Sequence, residues 1–401
     1  MTAIKYWIWL ASLKAVPGQV KLSLLDHFAT PERIFFGESG EYFLVDGVTK
    51  EIAAALGDKS LKEADRILGE CGRLGLRVLT IRDAEYPDRL RNIYDPPLLL
   101  YVKGRLPLFD DEIAIAMVGS RKSSDYALRA GEQLAYQLAM QGAVIVSGLA
   151  AGGDAAAHRG ALRAGGFTAA VIGGGHDKIY PQENRYLYED IGVRGVILSE
   201  YPPGTPHDGR HFPVRNRIIS GLSLGVVVME AAEKSGTLIT ANRALDQGRD
   251  VFAIPGRMGD PLCLGSNRLL RDGAGVVTEP WDILSHYAIS YPHKLRTAPV
   301  QEASRFGTDG VREEEIPETP EKPTKHTNEL PTLDLTGDHG LTNEQVAVLK
   351  AIGTRSMQVD DIIEETQIPT RQVLAALTIL EIEGFVTQHT GKRFSLNVTI
   401  A

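Results

Sequence analysis

Cysteine is scarce in this chain of 401 residues, which contains only Cys71 and Cys263. Two cysteines cannot form a disulfide scaffold, and neither has a partner at metal-ligand spacing, so a reducing cytoplasm is the predicted location. Long apolar runs are also missing. No stretch of about 18 uncharged apolar residues occurs, which predicts that the chain does not span a membrane. The first residues lack the basic start and cleavage site of a signal peptide.

Common nucleotide motifs are absent as well. The first apolar run of the central region is followed by Gly119-Ser120-Arg121, not by the G-x-G-x-x-G of dinucleotide-binding proteins, and no Walker A motif occurs. The histidines near these glycines, His158, His176 and His211, have no spacing typical of metal ligands. The sequence therefore predicts neither a cofactor nor a metal.

Negative charge is in excess, with a formal net charge of −8. The excess is local, because residues 301–340 carry ten acidic and four basic residues, whereas residues 113–293 carry seventeen of each. Affinity for nucleic acid follows local charge more than total charge. The acidic total therefore does not exclude a basic groove in the central region.

The apolar pattern predicts five segments. Residues 1–75 form a small helical domain of the SAM or helix-hairpin-helix type, with a capping box at Ser60-Leu61-Lys62-Glu63. Residues 76–112 are a connecting segment that contains a strand-like piece. Residues 113–293 contain seven short apolar runs that alternate with helical patterns, which indicates a parallel sheet covered by helices on both faces.

The remaining residues differ in composition from this core. Residues 294–340 are polar, acidic and proline-containing, which predicts a disordered linker. Residues 341–401 read as three helices followed by a hairpin, which is typical of a winged helix.

Glycine-rich loops follow most of the apolar runs, and two of them carry Arg121 and Lys178. In an open parallel sheet, such loops meet at the carboxyl ends of the strands, where ligands bind. Glycines allow close backbone approach, and helix N-termini offer free N–H groups to an anion. Several such loops on one edge favour a phosphate-bearing ligand. The alternative is that the glycines only form tight turns.

The densest basic patch of the core lies at Arg210–Arg217. Arginine can bind phosphate with two hydrogen bonds, and an aromatic ring can stack on an unpaired base. The patch consists of Arg210, His211, Phe212, Arg215, Asn216 and Arg217. The alternative is a helix start with solvated arginines. A further helix start at Ser235-Gly236-Thr237 fits either an anion site or ordinary N-capping.

These motifs together resemble the bacterial DNA-processing protein A (DprA/Smf) family. The resemblance covers most of residues 113–290, in the family's order. Its motifs are GSR, SGLAAGGDAAAH, GGGHDKIYPQEN, SEYPPGT, FPVRNRIISGLS, SGTLITANRAL, GRDVFAIPG and GSNRLLRDGA. Two departures are Gly153, where the family usually has isoleucine, and GRHFP, where a lysine is expected before FP and Arg210 supplies the charge.

The resemblance implies an extended Rossmann core that binds single-stranded DNA without catalysis. It also implies a homodimer, protection of incoming DNA, and loading of the RecA recombinase in natural transformation and recombination. Arg121 and Lys178 would hold backbone phosphates, assisted by Gly119 and Ser120. The strand's path would be lined by Phe212, Arg215, Asn216 and Arg217, with Arg210 beside them.

Three questions stay open at this point. A nucleotide phosphoribohydrolase of the lysine-decarboxylase-like type also has a Rossmann core, and Glu200 or Glu230 would be its acid. A winged-helix transcription regulator is a third possibility. For the dimer, the adjacent Leu269 and Leu270 point about 100° apart on a helix, so one could face a partner copy. Alternatively, both pack inside the monomer.

Overall fold

The computed structural model describes residues 3–296, 332–333, 341–353, 357–382, 385–389, 393–396 and 398–400. They belong to two compact units, Met1–Arg305 and Phe306–Ala401. The first unit holds the helical N-terminal part and a large sheet. Nearly all of the acidic segment predicted as a linker, residues 294–340, lies outside the described residues.

Short helices build the N-terminal part. Thr30 caps one of them by accepting a hydrogen bond from the Arg33 N–H at 3.3 Å, with Pro31 at the first helical position. The predicted capping box at Ser60 is wrong, because the helix begins at Lys62 without a side-chain cap and Glu63 pairs with Arg66 instead. The helices are α1 (Ile4–Ser12), α2 (Gly18–Phe28), α3 (Pro31–Phe36), α4 (Ser39–Tyr42), α5 (Lys50–Leu56) and α6 (Lys62–Leu74).

A nine-stranded sheet follows in the first unit, with the order β1-β2-β6-β5-β4-β3-β7-β8-β9. β3 to β9 pair in parallel, and β2 pairs antiparallel with both β1 and β6. The strands are β1 (Arg77–Thr80), β2 (Leu99–Gly104), β3 (Ala114–Val118), β4 (Val144–Ser147), β5 (Thr168–Ile172), β6 (Val196–Ser199), β7 (Gly225–Val228), β8 (Asp250–Ala253) and β9 (Gly275–Val276). The seven predicted runs are therefore strands, and the connecting segment adds two more.

Helices cover both faces of this sheet, which explains why its strands are apolar throughout. Along β3, Ala114 and Ala116 pack into one buried cluster, whereas Ile115 and Met117 pack into another. The helices are α7 (Asp88–Arg91), α8 (Asp125–Met140), α9 (Gly153–Arg163), α10 (Arg185–Arg194), α11 (His211–Gly221), α12 (Gly236–Asp246), α13 (Leu264–Arg271) and α14 (Trp281–Leu284).

The strand order reverses at β3. From β3 the chain proceeds to β4, β5 and β6 on one side, and then returns to place β7, β8 and β9 on the other side. The loops after β3 and β7 consequently diverge and leave a crevice at the carboxyl ends of the strands, as in Rossmann-type sheets. The fold is the predicted mixed α/β architecture with an extended, mostly parallel sheet.

The described residues of the second unit form three helices and a small antiparallel sheet of order β11-β13-β12. This arrangement agrees with the predicted winged helix. The elements are β10 (Thr332–Leu333), α15 (Asn343–Ile352), β11 (Met357–Gln358), α16 (Val359–Thr366), α17 (Thr370–Ile382), β12 (Val386–His389), β13 (Arg393–Leu396) and β14 (Thr399–Ile400). In neither unit does a described helix have the length and apolarity needed to cross a membrane.

Candidate nucleic-acid interface

A cleft of about 450 Å³ lies at the carboxyl ends of the strands, where the strand order reverses. Four segments converge on it: the loop after β3, the loop between β4 and α9, the start of α11 and the start of α12. Its lining includes Gly119, Ser120, Arg121, Ala150, Asp154, Gly209, Phe212, Arg215, Asn216, Ser235, Gly236, Thr237 and Thr240. Six of the predicted site residues are therefore brought together here.

The loop after β3 is fixed by backbone and carboxylate contacts. The Ser120 N–H donates to the Glu230 carbonyl at 3.2 Å, and the Ser120 carbonyl accepts from the Gly153 N–H at 3.2 Å. The buried Glu230 carboxylate accepts from the Ser124 N–H at 2.8 Å and from its hydroxyl at 2.5 Å. Gly152 is needed beside this loop, because its φ is +78° and a Cβ would collide with the Ser120 carbonyl. Arg121 is thus an exposed cation on an anchored loop.

Arg121 lies over an aromatic ring. Its guanidinium carbon is 4.5 Å from the centroid of the Phe212 ring. The Phe212 ring is also near the rings of Tyr180, at 6.0 Å, and His207, at 6.4 Å. We call these three rings the aromatic edge. Burial lowers the pKa of His207, so that this ring is neutral at neutral pH. Neither Tyr180 nor His207 is predicted from the sequence, although Tyr180 lies within the GGGHDKIYPQEN motif.

Lys178 and Arg210 lie outside the cleft lining. Lys178 is exposed and forms an ion pair with Asp177 at 3.5 Å. Its backbone carbonyl is hydrogen-bonded to Nε2 of the His207 ring. The loop of Lys178 is therefore joined to the aromatic edge. Arg210 is exposed and pairs with Asp208 at 2.8 Å. Both cations can reach solvent beside the cleft.

Arg215 is buried, with only 4% of its surface exposed. Its guanidinium donates to the Val171 carbonyl and lies so close to Gly148 that a Cβ there would overlap it. Burial lowers the pKa of Arg215 to about 10, with the nearby Asp154 acting in the opposite direction. The side chain is therefore charged at neutral pH, yet its Nε has no hydrogen-bond partner in the described part of the chain.

The side chain of Arg217 lies on the opposite side of α11 from that of Arg215. Its guanidinium donates to the Glu200 carboxylate at 2.8 and 2.9 Å, and its Nε donates to the Asp95 carbonyl at 2.8 Å. These contacts hold it away from the cleft. The sequence offered no signal for this pairing, since Glu200 and Asp95 are distant along the chain.

The leucines predicted for a dimer contact lie on α13. Leu269 and Leu270 are both partly buried and pack against the main hydrophobic cluster. More exposed apolar side chains nearby in sequence are Leu264 and Met258. The dimer contact stays a prediction. Among the residues described, no three His, Cys, Asp or Glu side chains converge on a possible metal position.

Comparison with known proteins identifies the family. Residues 77–288 match the family model of the DNA recombination-mediator protein A, and residues 336–392 match that of the DprA winged helix domain. Protein Smf of Synechocystis is 33% identical over 97% of this chain and 98% of its own length.

Two further likenesses point to the same family. The DNA processing protein DprA of Streptococcus pneumoniae is 48% identical over 52% of this chain and 73% of its own length. The crystal structure of DprA from the same species aligns with 70% of this chain and with 97% of its own chain, at 37% identity and a TM-score of 0.63. The second unit is accordingly a winged helix, and the chain belongs to the DNA-processing protein A (DprA/Smf) family.

Proposed function

We propose that this protein binds single-stranded DNA along the carboxyl edge of its sheet. The observation that carries the proposal is the Arg121 guanidinium 4.5 Å from the ring of Phe212, within an edge that also holds Tyr180 and His207. A ring can stack on a base whose face is free, and a neighbouring arginine adds to the attraction. Paired bases in a duplex hide those faces, so the edge favours single strands.

The surrounding cations suit the sugar-phosphate backbone. Arg121, Lys178 and Arg210 are exposed, and the backbone of Gly119 and Ser120 lines the cleft beside them. Phosphate contacts of this kind release counterions, so affinity falls as salt rises. Asn216 lines the same cleft and can hydrogen-bond a base or a sugar. We propose that Arg217 acts by positioning α11, because its guanidinium group is buried and paired with Glu200 and Asp95. Arg215 lines the cleft from a buried position.

The more specific biological role is inferred from membership of the family. We propose that a homodimer protects the bound strand and passes it to the RecA recombinase in natural transformation, without catalysis and in the cytoplasm. The two carboxylates that would serve as the acid of a phosphoribohydrolase are both engaged in contacts within the protein. Glu200 is paired with Arg217, and Glu230 is buried against Ser124.

A binding titration tests the proposal. Fluorescence anisotropy with a labelled oligothymidylate and a duplex of equal length would be measured at several salt concentrations. We expect tighter binding of the single strand and a linear loss of log affinity with log salt. Arg121→Ala and Phe212→Ala should each weaken binding about tenfold, because each removes a contact worth about 1–3 kcal/mol.

The matched control is Arg194→Ala. Arg194 is also exposed, but it ends α10 just before β6 begins, at the opposite edge of the sheet. This variant should bind like the parent chain. Equal affinity for the duplex, or equal loss in the control, would contradict the proposed site.

A further inference from the structure

We propose that the cleft holds a nucleoside 5′-phosphate, with the phosphate at the start of α12 and the base toward Phe212. The ligand is either a free nucleotide or the phosphorylated 5′ end of a DNA strand. The inference rests on the proposed function, because the same edge would carry the strand. Beyond that function, the cleft would prefer a strand that ends in a 5′-phosphate.

The start of α12 is open to an anion. This 11-residue helix has no acidic residue in its first turn, and Ser235 caps it by accepting the Thr237 N–H at 3.2 Å. Apart from its chain neighbours and its own helix backbone, no atom of the described residues lies within 4 Å of the position where a Cβ on Gly236 would stand, so the first helical residue faces free space. The partial positive charge of a helix N-terminus therefore reaches the cleft without a competing carboxylate from the helix itself.

A buried cation supplies an independent indication. Arg215 lines the same cleft, is only 4% exposed, and has an Nε that finds no hydrogen-bond partner among the described residues. Burying a charged group without full compensation is costly, and the negative charge of an anion in the cleft would offset that cost. Asp154 also lines the cleft, where it accepts the Ala150 N–H at 3.4 Å. Arg121 and Arg215 outnumber this single carboxylate.

Charge and size favour a terminal phosphate. A phosphomonoester carries about −1.5 to −2 charges near pH 7, whereas each phosphate within a strand carries one. The additional charge interacts with both arginines and with the helix terminus. The cleft volume of about 450 Å³ falls in the range of small-molecule sites, roughly 300–1,000 Å³.

Oligonucleotides that differ only at their ends test the inference on the full chain. The anisotropy titration would compare one oligothymidylate with a 5′-phosphate, a 5′-hydroxyl or a 3′-phosphate. We expect the 5′-phosphate to tighten binding about fivefold, in line with the strength of anion contacts at helix termini. Calorimetry with thymidine 5′-monophosphate, against thymidine, shows whether a free nucleotide also binds.

Two variants at Gly236 that differ in charge and hardly in size test whether the phosphate lies at the start of α12. Gly236→Glu puts a carboxylate at the first position of α12, where acids stabilise helices, so the fold should be retained. We expect it to abolish the gain from the 5′-phosphate, whereas the neutral Gly236→Gln should keep it.

The outcomes separate the two proposals. Equal affinity for all three ends without binding of the nucleotide, an equal gain from the 3′-phosphate, or a gain that survives Gly236→Glu would overturn the inference. In each case, normal binding of the 5′-hydroxyl strand would leave the proposed function standing. Failure to bind that strand would instead overturn the proposed function.

Discussion

The two ring nitrogens of His158, a fully buried residue of α9, have different environments. The Thr168 hydroxyl donates its only proton to the Ile145 carbonyl at 2.8 Å, so it must accept from His158 Nδ1 at 2.7 Å. Nε2 is then unprotonated, and no residue that the structure describes forms a hydrogen bond with it. Burial, together with the charge of Arg215, lowers the pKa of His158 to about 3.

This neutral histidine predicts a loss of stability in acid. Above the unfolded value of 6.5 both states are neutral. As the pH falls below 6.5 the unfolded chain binds a proton that the native protein refuses, so the free energy of unfolding decreases by up to about 1.4 kcal/mol per pH unit. The decrease ends near pH 3, where the native histidine also protonates.

His158→Asn tests this prediction, because asparagine keeps a donor near the Nδ1 position and has no proton to gain. Urea unfolding between pH 7 and 4 should give a shallower pH dependence for the variant, by about one proton. Parallel curves for the two proteins would show that His158 does not titrate as expected.

At the scale of elements, α11 carries side chains that are close in sequence but lie in different surroundings. Phe212 lies at the aromatic edge, Arg215 is buried below the Gly148 loop, and Arg217 is paired with Glu200 and Asp95. Positions i and i+2 are about 200° apart on a helix, so Arg215 and Arg217 face opposite sides. Both are buried because α11 packs on β5 and on α7 and α12.

Arg217→Met should therefore affect stability more than binding. Removing one partner of this largely buried ion pair leaves Glu200 with the weaker influence of Lys21 and some solvent, so we expect a loss of about 2–3 kcal/mol, less than the ~3–5 kcal/mol of a fully buried pair. DNA affinity of the folded fraction should stay close to that of the parent. Arg121→Ala should give the reverse pattern, with little change in Tm and weaker binding.

Thermal unfolding and anisotropy on both variants check the contrast. Adding Glu200→Gln to Arg217→Met should restore part of the lost stability, since it removes the unpaired charge. A large loss of affinity in Arg217→Met at unchanged stability would instead place Arg217 on the strand.

The sequence allowed prediction of the elements better than of their side-chain partners. Seven strands were readable, because continuous apolar runs are needed where both faces of a sheet are covered. Arg121 and Phe212 were predicted from loop position and composition, and they meet in the structure. The burial of Arg215 and Arg217 was not readable, because it depends on Val171, Asp95 and Glu200, which only the tertiary fold brings close.

At the scale of the whole molecule, the contact predicted for the proposed homodimer lies on α13. Leu269 and Leu270 both touch the core, and both retain partial exposure. Adjacent helical residues cannot share one direction, so one of them is better placed to meet a second copy.

Leu269→Glu and Leu270→Glu, made separately, should therefore differ. We expect one variant to sediment as a folded monomer that binds DNA about tenfold or more weakly, since two linked sites gain avidity on one strand. The other should lose stability, because it places a charge in the core. If both variants remain dimeric, or if both unfold, the interface lies elsewhere.

The pairing of β2 with β6 has a consequence for aggregation. β6 is the last parallel strand on its side, and only the antiparallel β2 and β1 continue the sheet beyond it. A chain shortened to begin at residue 113 would leave the buried strand Val196–Ser199, which is apolar except for Ser199, with a free row of N–H and carbonyl groups. Such an edge is a template for another chain to pair with. By pairing with β6, β2 removes this edge from the surface of the parallel part of the sheet, and we expect the shortened chain to aggregate more readily than the full chain.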